Sequence, residues 1–122
     1  MVVTSWVFES LSLARSSGFS VPDRVFSRAI PHLEEKFRNT DQSKLNQKAI
    51  LLSALASSSS ADFGAANRLH RNRTKLSNSG LGALIRALVH LKKNAMATEA
   101  VQTLLDRQND DGSWSDSDTK KA

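Results

Sequence analysis

The chain has no cysteine and no tyrosine, only two prolines, and only five Phe and two Trp in 122 residues. Without a thiol there is no disulfide, no thiolate nucleophile and no cysteine-ligated zinc, and cysteine usage gives no indication of compartment. So few aromatics leave little to stack on single-stranded nucleic acid or to line a cation-stabilising cavity. No apolar run reaches membrane-spanning length. The N-terminus also lacks the basic region and apolar stretch of a signal peptide. Apolar residues make up 39% of the chain, low for a closed globule, so either the core is thin or some apolar surface belongs to a larger assembly. The length allows one domain at most. Met1 leads straight into a helical pattern, which reads as a start inside a longer protein.

The net charge is +5, but its distribution matters more than its sum. Arg68, His70, Arg71, Arg73 and Lys75 cluster, whereas Asp106, Asp110, Asp111, Asp116 and Asp118 make the C-terminal segment locally acidic. No aromatic interrupts the basic stretch, so it is either a solvated helix end or a polyanion contact made by Arg68, Arg71, Arg73 and Lys75.

Apolar periodicity predicts helices only. Val3, Val7, Leu11 and Ala14 recur at helical spacing and stop at Gly18, a candidate left-handed C-cap. Val25, Phe26, Ala29, Ile30, Leu33 and Phe37 form a one-sided stripe opened by Ser20 and Pro22, in which Pro31 is expected to kink or split the helix. A third helix, about 44–57, is apolar nearly all round and is the candidate inner helix. After the serine turn 57–60 comes a shorter helix, about 61–71, with Phe63, Ala66 and Leu69 on its apolar side. Ser77, Asn78 or Ser79 can cap a fifth, where Gly80, Gly82, Ala83 and Ala87 permit close approach. Ala97, Ala100, Val101, Leu104 and Leu105 mark the sixth. The expected organisation is an all-α helical domain over 1–114, built of antiparallel helical hairpins, with a disordered tail over 115–122. Hairpin starts near residues 3, 43 and 77 suggest a repeat of roughly 35–40 residues. A tetratricopeptide array ranks second, because its Trp, Gly, Tyr and Pro positions do not recur at fixed spacing.

Gln108, Gly112 and Trp114 follow the last helix directly. This Gln-x-x-x-Gly-x-Trp turn resembles the QW motif of the α/α-toroid superfamily, shared by triterpene cyclases, protein prenyltransferases and the thioester domains of complement and alpha-2-macroglobulin proteins. The motif is architectural: an amide that can satisfy helix-end groups, a residue tolerant of a tight turn, and an indole that covers a neighbouring helix pair. Further stretches, Thr4 to Val7, Ala14 to Pro22, Ala61 to Leu69, Lys75 to Ser77 and Leu81 to Leu91, make the chain from about Thr4 to Trp114 similar to the thioester-domain region of bacterial alpha-2-macroglobulin-like proteins. The resemblance implies a partial α/α toroid of about six helices, where a full one needs about twelve. It further implies a large extracytoplasmic parent, periplasmic, lipoprotein-anchored or secreted, that traps proteases. In that family a Cys-x-Glu-Gln motif forms an internal thioester that couples to the attacking protease. With no cysteine this chain carries none; either it lies downstream of the thioester, or the parent belongs to a branch without one.

Enzyme readings find little support in the residues. The cyclases need an acidic protonation motif, whereas Asp110 and Asp111 sit in a turn before Gly112, and the prenyltransferases need a zinc-ligating Cys. The serines fall in caps and turns rather than a nucleophile elbow. His32, His70 and His90 lack the i, i+4 pairing of a helical zinc site. A calcium-loop reading with Asn109, Asp111, Gly112 and Asp118 places Arg107 where a carboxylate is needed. Asn72, Arg73 and Thr74 fit a glycosylation sequon, relevant only in a eukaryotic secretory setting. The sequence therefore points to a structural and interaction segment of a protease inhibitor, without catalytic residues, cofactor or metal of its own. Its expected partners are the remaining domains of the parent, target proteases reached through the parent, and further copies of itself when isolated, with no specific nucleic acid and no membrane insertion. The alternative is a stand-alone hairpin adaptor that binds a peptide or polyanion along its concave face.

Overall fold

A computed structural model describes residues 2–115. Six α-helices follow one another: α1 (Val2–Ser16), α2 (Asp23–Asn39), α3 (Leu45–Ser57), α4 (Phe63–Arg71), α5 (Asn78–His90) and α6 (Asn94–Asp106), with a 3-10 turn at Arg73–Lys75. No strand occurs among the described residues. The helices pair as the hairpins α1–α2, α3–α4 and α5–α6. Helices α1, α3 and α5 pack side by side as one layer, and α2, α4 and α6 flank it. Of the tail expected from 115 onward, Ser115 is anchored, its carbonyl accepting from Asn78 Nδ2 at 2.8 Å. Residues 116–122 lie outside the described residues.

The three layer helices end alike. Phe19 N donates to Ala14 O and Gly18 N to Arg15 O; Ser60 N to Leu55 O and Ser59 N to Ala56 O; Lys93 N to Leu88 O and Lys92 N to Val89 O. Each pair is the double bond pattern that closes a helix through one left-handed residue. Gly18, Ser59 and Lys92 supply that residue at φ +99°, +61° and +60°. The Gly18 cap agrees with the sequence reading, while the other two positions use residues that adopt this conformation at a cost.

Helix α3 is central. Leu52, Ala49 and Ala56 pack with Leu69, Leu76, Leu81, Leu84 and Leu88 on one side. Leu51, Ala54 and Leu55 pack with Phe8, Phe26 and Leu33 on the other. A helix covered on both sides reads as apolar all round, as expected of this segment. Ser77 caps α5, its Oγ accepting from Gly80 N at 3.2 Å, and Asp62 caps α4 through Gly64 N at 3.1 Å.

One expectation is narrowed and one is corrected. Pro31 does not split α2, which runs unbroken from Asp23 to Asn39 with Pro31 on its exposed side. Burial of Phe26 and Leu33 to either side holds the helix together across the single missing donor. In α1 the buried face is Ser5, Phe8 and Ser12, not the stripe through Val3 and Val7, which are 69% and 53% exposed. Serines are small enough for α1 to approach α3 closely, and this turns the valines outward.

Candidate interaction surfaces

The Gln108–Trp114 turn closes on its own helix. Gln108 Nε2 donates to Gly112 O at 2.8 Å, and Trp114 Nε1 donates to Leu104 O at 2.7 Å. Asn109 N bonds Ser113 O at 2.7 Å, and Gly112 stands at φ +93°. The indole therefore satisfies a carbonyl at the end of α6, and it stays 40% exposed. Asp111 Oδ1 accepts from Ser113 N and Oγ at 2.9 and 2.6 Å, which holds its carboxyl below the usual carboxylate range. This is the turn role expected for Asp110–Asp111–Gly112.

Arg107 joins this turn to the start of α5, a role sequence reading missed. Its guanidinium donates to Leu76 O at 2.7 Å, Thr74 O at 3.0 Å and Asn78 Oδ1 at 3.3 Å. The group at the first calcium-loop position thus points into a helix junction. Asp118 of that loop lies outside the described residues, and among those described no three His or carboxylate groups converge as metal ligands.

The structure divides the basic cluster between different surroundings. Arg73 is turned inward, donating to His70 O at 2.9 Å and lying 3.8 Å from Glu99. Arg71 is exposed. Arg68 and Lys75 line a cleft with Lys48. Asn72 of the sequon donates its amide to Arg68 O at 2.8 Å. Of the histidines, His32 is exposed. His70 is buried 3.6 Å from Glu99, and burial first, then Arg73, holds its pKa below the ordinary imidazole value.

His90 belongs to a groove of about 670 Å3 across α1, α3 and α5, whose walls include Trp6, Leu13, Ile50 and Val89. Trp6, Leu13 and Val89 are each more than half exposed. At its centre Glu9 accepts from Ser53 Oγ at 2.8 Å and lies 3.2 Å from Arg86 Nε and 3.3 Å from His90 Nε2. The carboxylate stands between hydroxyl and imidazole, the wrong order for a base that activates a serine. Its chemistry is charge-assisted positioning of α5 against α1. Arg86 and His90 are four apart on one helix face, the signal from which this cluster could have been read. None of Arg68, Arg71, Arg73 and Lys75 lines the groove.

No helix among the described residues is long and apolar enough to cross a membrane. No protein-family model, no curated protein and no solved structure matches the chain.

Proposed function

We propose that this chain is a structural and interaction segment of a larger helical layer, in the manner of the thioester-domain region of the alpha-2-macroglobulin-like protease traps it resembles. The observation that carries the reading is the uncovered apolar face of α1. Val3, Trp6, Val7 and Leu13 lie away from the buried Ser5, Phe8 and Ser12, and all four are more than half exposed. A hairpin array in water requires a polar outer face on its terminal units. An end helix that exposes two valines, a leucine and a tryptophan instead fits one more hairpin stacked on it.

In this reading the parent is an extracytoplasmic inhibitor, its other domains are the immediate partners, and proteases are reached only through it. The segment itself carries out no chemistry. Isolated, it self-associates through α1. The deciding experiment is an immunoblot of denatured source cells with an antibody raised against this chain. A band at several times the mass of the chain supports the segment reading. A band at the mass of the chain replaces it with a self-contained adaptor whose ligand occupies the Glu9 groove.

A further inference from the structure

A second concavity, of about 410 Å3, opens on a different side of α3, between the end of α2, the loop before α3, and α4. Lys48, Arg68 and Lys75 reach its wall, with Ser43 and Asn72 as neutral hydrogen-bonding groups and Phe37 as apolar floor. None of the residues lining it is acidic. Among the described residues these three cations take part in no ion pair.

Lys48 sets this cleft apart from an ordinary basic surface. It is only 5% exposed, yet its ammonium keeps a place against the ring of Phe37, 4.4 Å from the centroid, and donates to Phe37 O at 3.1 Å. A buried cation is costly unless its donors are satisfied, and an ammonium has three. Burial first, then Arg68, lower its pKa, and Asp41 opposes them weakly. Asp41 itself is engaged by Ser43 N and Oγ, both at 2.8 Å.

We propose that this cleft binds one tetrahedral oxyanion, the phosphate group of a small molecule, between Lys48, Arg68 and Lys75. Arg68 offers a planar pair of donors to two oxygens, Lys75 a point charge at the mouth, and Lys48 a desolvated charge at the base. The site draws only Arg68 and Lys75 from the basic sequence cluster, and adds a lysine that lies far from it in sequence. It does not depend on the role proposed for α1.

The test is a titration of the isotope-labelled chain followed by NMR, with inorganic phosphate in one arm and a heparin oligosaccharide in the other. Expected is a saturable shift of the Ser43, Lys48, Arg68, Asn72 and Lys75 amides with phosphate. The double variant Arg68→Gln/Lys75→Gln, changed only at exposed side chains, is expected to bind about tenfold more weakly at an unchanged melting temperature. The variant Arg24→Gln/Arg28→Gln, with equal charge removed on α2, is expected to bind as before. Equal weakening in both variants would overturn the proposal, because it would reflect net charge alone. Saturation by heparin without any by phosphate would overturn it too, by making the surface a polymer contact.

Discussion

Asn46 of α3 occupies the space that a side chain on Gly80 of α5 would need. Its Oδ1 accepts from Ser77 N at 2.8 Å, and its Cα lies 3.2 Å from where a Cβ on residue 80 would stand. In the most extensively packed helix pair among the described residues, the side chain and Cα of Asn46 thus lie against the bare backbone of Gly80, and the amide oxygen of Asn46 serves as a second cap on α5. Gly80→Ala should destabilise by about 1–3 kcal/mol in spite of the better helix propensity of alanine. Gly82, two residues on, meets nothing nearer than Arg86 at 3.9 Å. Gly82→Ala should therefore stabilise by about 0.5–1 kcal/mol. Urea unfolding of both variants checks the contrast, and shifts of the same sign would refute the close approach.

The repeated helix closure makes a second prediction. Ser59 and Lys92 hold left-handed conformations that glycine holds at Gly18. Ser59→Gly and Lys92→Gly should each raise stability, by about 0.5–1 kcal/mol, because the strain removed exceeds the entropy added to the unfolded chain. A loss of stability in thermal melts of both would mean that the side chains contribute more than the backbone geometry suggests.

Glu9 is the most connected charged group of the groove, and its side chain is only 16% exposed. Glu9→Ala leaves Ser53, fully buried, without its acceptor. It should cost about 1–2 kcal/mol, with Glu9→Gln closer to wild type because an amide oxygen still accepts. Equilibrium unfolding of the two variants decides, and equal losses would shift the weight from the hydrogen bond to the ion pairs with Arg86 and His90.

The six helices were legible because each carries a local signal: a 3.6-residue period, a serine or glycine at an end, a polar turn between. What was not legible depended on partners distant in sequence. Glu9 meets Ser53 across 44 residues and His90 across 81, and nothing in α1 announces either. The buried face of α1 departs from its apolar periodicity, which favours Val3 and Val7, whereas the face packed inward carries Ser5, Phe8 and Ser12. The Gln108–Trp114 turn was recognisable as a motif. Its partner, the end of its own helix at Leu104, was not.

Arg107 provides a test of that turn. Its guanidinium reaches two carbonyls and an amide oxygen at the junction of the 3-10 turn with α5. Arg107→Ala should cost about 1–3 kcal/mol. Arg107→Lys should restore little of it, since a single ammonium cannot span three acceptors set apart like a fork. Full rescue by lysine in urea unfolding would show that charge, not geometry, is what the junction requires.

His70 gives the fold a pH dependence whose sign follows from its surroundings. Burial first, and Arg73 second, hold its pKa below the imidazole value of the unfolded chain, against the opposing pull of Glu99. Below about pH 6.5 the unfolded chain therefore binds more protons than the folded one, and stability rises with pH across that window. On acidification, stability is lost from about pH 6.5 downward and levels off once folded His70 also protonates. The depressed carboxyls of Asp41 and Asp111 act in the same direction, but only lower, as pH falls through the carboxylate range. In His70→Gln the slope just below pH 6.5 should flatten while the carboxylate slope remains. Denaturant midpoints measured at intervals between about pH 5 and 7 separate the two, and parallel curves for wild type and variant would place the titrating group elsewhere.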